Sequence, residues 1–483
     1  MRTIKKSDSL IAVSAITYGI LFYQQSIGIN YTIFTILQML GLYFKSDTNQ
    51  RNGNWWLAFT GAAFGAIGAL WIGSLLAAIG SIVSIVILAA LTINNKSSVI
   101  VSLFNGVYSF STGLFHIIGK FNTEVIESTD VKSIGKNGKK AILFVASLLV
   151  ALLFLILYRS ANDQFKALTD KIDLSFISIG WIVFTLVGYY LIYFTYNQRN
   201  IEKVQTFDTE APNDLADDEA TSGDISFMSL PTQVTWAKML LVMLNVLVLS
   251  VNFLDLTYFT GMIPVNTELD YSANVHSGVN AIIFSIVLAV GIILFFFHGK
   301  INFIKDNKTI KRLAQVWIVQ NAGLILFTAL RNVHYVEAYF LTYKRIGVFF
   351  YLAFCLIGLF YTFVKISTIK TNWFLVRKVS WSIYALAIVT PIINWDALII
   401  NYNFEHAESH PKDLDLGYLS ALPEVNTALI NQKIEESSNK EYYLVQFENS
   451  ENYGIDQEIR RQRQDYSKYD WRSFNIRGYL AQK

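Results

Sequence analysis

Four charged residues stand where charge is costly: Asp255, Arg331, Lys344 and Arg345 each lie in or beside a long apolar run. An ionisable side chain inside a membrane costs several kcal/mol, about 3 at the helix centre, so each such residue marks a candidate site. Asp255 follows Asn252 by one helical turn. Arg331 comes after Gln320 and Asn321 and just before His334 and Glu337, and Lys344 and Arg345 open the next run in YFLTYKRIGVFF. Two arrangements fit these types and spacings. In one, Asp255 and Arg331 form a structural ion pair, while Lys344 and Arg345 reach toward the membrane interface. In the other, the cations line an outward-facing pocket for an anionic head group or solute. Asp396, next to Trp395, reads as a helix-end carboxylate or a counter-ion. Asp270 joins Asp255 as the acidic candidate should the chain be a membrane-embedded transferase. Asn245, Asn280 and Gln320 read as hydrogen-bond partners between helices.

Other chemistry has little support. The chain contains no GxSxG, HExxH, CxxC or phosphate-binding loop. His406 and His410 are four apart and would share a helix face, a spacing that can hold a metal. Pro411 biases His410 away from helical geometry, however, and no third ligand is evident. No catalytic, cofactor-binding or metal-binding residue is assigned, no cofactor is expected, and a non-enzymatic role is favoured. The single cysteine, Cys355, sits in an apolar run and excludes an intrachain disulfide.

The elements that carry these residues are set by composition. Of 483 residues, 53% are hydrophobic and 16% charged, against about 25% charged in soluble domains. A net charge of +3 gives no reason to expect a nucleic-acid partner. Apolar runs near 10–25, 28–44, 55–72, 74–94, 141–158, 174–196, 234–257, 277–297, 313–331, 346–366 and 379–400 approach the roughly 20 residues that cross a bilayer. The expected fold is therefore all-α: a polytopic transmembrane bundle of about eleven spans with a small, mainly helical extramembrane domain at the C-terminus. Gly61 and Gly65 have the spacing that lets two helices approach closely, and the expected partner is the run that begins after Gly73. Segment 98–118 is apolar but carries Ser102, Asn105, Ser109 and His116, and reads as interfacial or re-entrant.

Basic residues orient the bundle. Arg2, Lys5 and Lys6, then Lys45 and Arg51, the cluster Lys300 to Arg312, and Lys365 to Lys378 mark cytoplasmic ends. The loop from Phe259 to His276 has no Lys or Arg and belongs outside. Lys344 and Arg345 fall on the outer side and break this rule. Residues 1–196 form an N-terminal transmembrane half and 232–400 a C-terminal half. Between them, 197–231 reads as a disordered acidic cytoplasmic linker, with eight carboxylates against one lysine from Glu202 to Asp224. Residues 401–483 form a periplasmic tail domain and the natural surface for an envelope protein partner. In it, Asp413 is positioned to cap a helix bearing Leu416, Leu419 and Leu422. Pro423 opens a second helix with Val425, Leu429, Ile430 and Ile434 on one face. Tyr442 to Phe447 reads as a strand, Arg460 to Arg463 as a helix, and Tyr466, Tyr469, Trp471, Phe474 and Tyr479 as aromatic anchors.

Several stretches together resemble a known family: Gln25 to Asn30 with Phe34, MIPVNTELDYSANVHSGVNAIIFSIVLAV, WIVQNAGL, LTYKRIGV, and NWDALIINYN followed by DLDLGYLSAL. They are similar to bacterial multi-pass inner-membrane proteins known as a domain of unknown function, number forty-one seventy-three or the related forty-one fifty-three. The resemblance implies a fold and a bacterial inner-membrane location; the basic residues put the N-terminus in the cytoplasm and the C-terminus in the periplasm. It implies no activity and transfers no site residue.

Overall fold

A computed structural model describes residues 6–127, 151, 154–155, 158–162, 164–165, 179–216, 229–260, 271–304, 307–408, 414–422, 427–451 and 455–482. Among these the chain is helical, with no strand. In chain order, α1 (Lys6–Phe22), α2 (Ile29–Lys45), α3 (Gly53–Trp71), α4 (Leu75–Ile93), α5 (Val99–Glu127), α6 (Ile179–Tyr196) and the short α7 (Glu202–Glu210) make up the first part. The second part comprises α8 (Leu230–Phe259), α9 (Tyr271–Phe296), α10 (Asn307–Tyr339), α11 (Tyr343–Thr368) and α12 (Asn372–Ala387). The tail holds α13 (Trp395–Ala407), α14 (Leu416–Ser420), α15 (Thr427–Glu436), α16 (Lys440–Glu451), α17 (Ile455–Ser467) and α18 (Ile476–Gln482).

Among the described residues five helical stretches are long and apolar enough to cross a membrane: Leu75–Ile93, Leu230–Phe259, Asn307–Tyr339, Tyr343–Thr368 and Asn372–Ile392. This is fewer than the eleven runs read from the sequence. The difference lies mainly in length: α1 and α2 have 17 residues each, and the apolar parts of α6 and α9 are shorter than 18. The expected span 141–158 falls almost wholly outside the described residues. The expected span 379–400 is not one helix. Pro391 sits in a 3₁₀ turn, Thr390–Ile392, that ends α12, and Asn394 then caps α13 with an acceptor for Ala397 N. Helix α8 is apolar around most of its circumference, and only 17% of its most apolar window is buried. Met239, Val242, Met243, Val246, Phe253 and Leu254 all point outward, as expected of a helix whose solvent is lipid.

Small residues set the tightest packing. A Cβ on Gly65 would lie 2.6 Å from the Ser81 backbone nitrogen of α4, so the α3–α4 contact expected from the GxxxG spacing is present. A Cβ on Gly61 would reach the Tyr384 hydroxyl of α12 at 2.5 Å. Tyr384 and Ile388 therefore complete the core of α1–α4 and α6, although they come from the second half of the chain. A second core joins α8, α9, α10 and α11. A third joins the α10–α11 turn and α13 to the tail helices, through Leu341, Ile399, Leu416, Leu419, Ile430, Ile434, Tyr443 and Phe447.

Four further expectations are corrected. Residues 99–127 form one unbroken helix of 29 residues, about 43 Å long. The chain reversal of a re-entrant segment is therefore absent, which removes that alternative and leaves the interfacial one, and Ser102, Asn105 and Ser109 are fully buried. The acidic linker is ordered in its first part, as α7 and the pairing of Asp214 with Lys370. Tyr442 to Phe447 is helical, because Tyr443 and Phe447 are four apart and both enter the third core. Asp415, rather than Asp413, accepts from Tyr418 N and caps α14, while 409–413 and 423–426 lie outside the described residues.

Several basic side chains from the connections between helices lie together, away from the tail. Lys45, Arg51, Lys365, Lys370 and Arg377 gather at one end. Their partners there include the carbonyls of Tyr196, Tyr43, Ser46 and Phe297 and the carboxylates of Asp214 and Asp208. The tail packs on the other end. There Ile29 N donates to Phe474 O at 2.7 Å, and Ser26 N donates to Ser473 Oγ at 2.8 Å, which in turn donates to Gln25.

Candidate functional site

Helices α8 and α10 run side by side in the same direction, and a polar seam lies between them. Asn245 and Asn252 are seven apart and share a face of α8, which Asp255 continues one turn later. Asn245 Nδ2 donates to Leu313 O at 3.0 Å, and Asn252 Nδ2 donates to Gln320 O at 2.9 Å. At the tail-side end the Arg331 guanidinium pairs with Asp255 Oδ1. Asp255 is buried, whereas the Arg331 side chain is 36% exposed. Two of the four charged residues are thus an ion pair, which is one part of the first arrangement.

The other two stand apart on the α10–α11 turn. The Arg345 guanidinium lies 4.3 Å from the Tyr335 ring centroid and donates to the carbonyls of Tyr339 and Phe340. These carbonyls end α10, where a cation is favoured by the helix dipole. Phe340 takes φ +68°, the left-handed geometry that stops a helix. Asn332 Nδ2 donates to Arg345 O at 3.0 Å and closes the turn from the other side. The charge that breaks the loop rule at Arg345 is therefore a helix cap. Lys344 is exposed and makes no described contact. The structure joins Asp255 to Arg331 and Arg345 to the end of α10, and shows no contact that unites all four.

Asp396 is buried in the first turn of α13 and accepts from the Tyr343 hydroxyl. The Tyr418 hydroxyl accepts from Tyr343 N at 3.0 Å, and burial raises the Tyr418 phenol above its ordinary value. His406 stacks on Tyr402, with Nδ1 2.9 Å from Tyr402 O, while His410 is outside the described residues. No cluster of three metal-binding side chains occurs among the described residues. Asp270 and the side chain of Asn280 are also outside them. Gln320 sits at the seam, as expected of an interhelical partner, although its backbone carbonyl is the group that accepts.

One polar centre was missed by sequence reasoning. Asp208 of α7 is fully buried and accepts from Ser98 N at 2.7 Å, Trp373 Nε1 at 2.9 Å, Ser97 Oγ at 3.4 Å and Arg377 Nε at 3.5 Å. It ties the start of α5 to the start of α12. Nearby, Asn105 Nδ2 donates to Gln205 Oε1 at 2.9 Å. The only sequence signal for this hub is the cluster of polar residues that open α5, matched by a charge about one-third along a run that composition marks as linker. Lys365 was noted only as a loop marker. It is fully buried and donates to Phe297 O at 2.7 Å, a cap on the end of α9.

Comparison with curated proteins gives no match, and neither does comparison with solved structures. A family model described as Domain of unknown function (DUF4153) matches residues 55–430, more than three-quarters of the chain. That span covers the seam, the α10–α11 turn and the Asp208 hub. By this match the chain belongs to the DUF4153 family, the second of the two numbered families that its motifs resemble.

Proposed function

We infer that the chain is a multi-pass protein of a bacterial inner membrane with a non-enzymatic, envelope-associated role. The helical bundle anchors the tail domain and presents it on the periplasmic face. The observation that carries this reading is the opposition of the two ends. Basic side chains collect at one, and the tail is fastened to the other by Ser26, Ile29, Ser473 and Phe474 and by the third core. Positive loops favour the cytoplasm, which supports a tail on the outside. The outward apolar face of α8 supports lipid as its surroundings. The tail surface of α15 to α17 is the candidate surface for a protein partner.

Topology is the direct test. A reporter enzyme active only outside the cytoplasm, fused after residue 483, should be active, and one fused within 213–228 should be inactive. The reverse pattern overturns the reading. The role of the tail is tested by changing exposed residues such as Tyr442 and Val445 to Ser, since deleting 401–483 would also expose the third core. Unchanged envelope phenotype and unchanged cross-linking would remove the partner surface.

A further inference from the structure

The seam between α8 and α10 has more polar groups than it has partners. Asn245 Oδ1, Asn252 Oδ1, Asp255 Oδ2, Gln320 Oε1 and Trp317 Nε1 are all buried and none has a hydrogen-bond partner among the described residues. Asn245 and Asp255 are themselves more than nine-tenths buried. The amide nitrogens of Asn245 and Asn252 already donate to α10 carbonyls, so rotating either amide would sacrifice one contact to gain another. Buried polar groups without partners are costly, and native proteins meet that cost with hydrogen bonds or bound water. Four unmet acceptors, one of them a carboxylate oxygen, and one unmet donor fit water along the seam. The acceptor excess fits a small cation beside Asp255. Gly323 lets Asn252 lie close against α10, since a Cβ there would come 3.1 Å from Asn252 Oδ1.

We propose that the α8–α10 seam is a narrow water-filled cleft that admits small hydrated cations as far as Asp255. The cleft lies within the apolar belt, and Arg331, which is partly exposed, flanks its tail-side end by holding Asp255 Oδ1. The inference rests on the membrane-spanning part of the reading above and goes beyond it by giving the bundle a solute-accessible interior.

Cysteine reactivity tests it, because the thiolate, which forms in water and not in lipid, attacks the sulfur of a thiosulfonate reagent and expels sulfinate. In protein with Cys355→Ser, reconstituted in lipid vesicles, Asn252→Cys and Gln320→Cys report on the seam. Val246→Cys and Val319→Cys report on outward apolar faces of the same helices. The Gln320 variant guards against misfolding, since its side-chain amide oxygen has no partner to lose. Both seam positions should react with a small cationic reagent about tenfold faster than the two controls, and faster than with an anionic reagent of equal size. Adding Asp255→Asn to Gln320→Cys should reverse the charge preference. Seam positions as slow as the controls, or a preference for the anion in the parent, would overturn the cleft. Controls that react as fast as the seam would show instead that the helices do not sit in lipid, and the membrane reading would fail with it.

Discussion

Replacing Asp208 by Ala should destabilise the protein more than any other single change at the basic end. The carboxylate is fully buried and receives donors from α5, from Trp373 and from Arg377. Breaking a buried ion pair by removing one partner costs about 3–5 kcal/mol. Arg377 keeps contacts with the carbonyls of Ala211 and Asp208 and with Asn213 Oδ1, and its side chain is 16% exposed. Its share should therefore fall near the low end. The Ser98 and Trp373 N–H groups lose their acceptor in a dry site, at about 1–3 kcal/mol each. These losses overlap because water can enter the vacated space, so a net of about 4 kcal/mol is expected. Asp208→Asn keeps an acceptor for Ser98 N but removes the charge and should cost about half as much. Trp373→Phe removes one donor and should cost about 1 kcal/mol. Equilibrium unfolding in mixed micelles would give the three values. Asp208→Ala within about 0.5 kcal/mol of the parent would place it among ordinary surface substitutions and refute the account of the hub. The expected order, Ala beyond Asn beyond Phe, is a second check, because mere loss of volume would not produce it.

Other substitutions probe the remaining features. Arg345→Lys keeps the charge but loses the planar fork and its stacking on Tyr335, so it should cost about 1–2 kcal/mol in the same assay; full retention of stability would mean the cap at Tyr339 and Phe340 is unimportant. Phe447→Ala should cost about 3–5 kcal/mol and loosen the tail first, visible as faster proteolysis within 414–467. Gly28→Ala would bring a Cβ to 2.5 Å from Phe474 O, and should detach 471–476 from the first hairpin at about 1–3 kcal/mol. Asp470 is held below the ordinary carboxylate value, first by hydrogen bonds from the Arg472 side chain. Its folded value is the lower one, so its contribution is complete above the ordinary carboxylate range and is lost as pH falls through the depressed value. Amide exchange at Ser473 and Phe474, corrected for intrinsic rates, should be flat from pH 7 to about 5 and rise below about 4; opening already between 7 and 6 would contradict this.

The sequence reveals most where one local rule decides the outcome. Ile430 and Ile434 are four apart beside polar residues, and both are buried on one helix face. Gly65 meets Ser81 because a hairpin mate is the nearest surface for a small-residue stripe. The Asp255–Arg331 pair was legible because two costly charges in apolar runs can offset each other. What stayed hidden depends on distant partners. Tyr442 to Phe447 has strand-like residue types, and the third core overrides them. Asp208 looks like its acidic neighbours until Trp373 and Arg377 arrive from 165 and 169 positions away. Arg345 breaks the charge rule for a reason found only in the geometry of the turn that it closes. Of the expected spans, five stand out as helical stretches long and apolar enough to cross a membrane among the described residues, while helices such as α1 and α2 have 17 residues each.

The fastening of 471–475 onto the first hairpin sets the order in which the protein can be completed. Ser473 lies 447 positions after Ser26, so the hairpin emerges from the ribosome long before its partners do. Until then the Ser26 and Ile29 amides have neither the Ser473 hydroxyl nor the Phe474 carbonyl, and the turn after α1 stays open to water. Closing so long a loop costs only slowly growing entropy, yet it waits on delivery of the tail to the same side of the bundle as that turn. A chain cut short before Ser473 would therefore leave the Ser26 and Ile29 amides without these two acceptors.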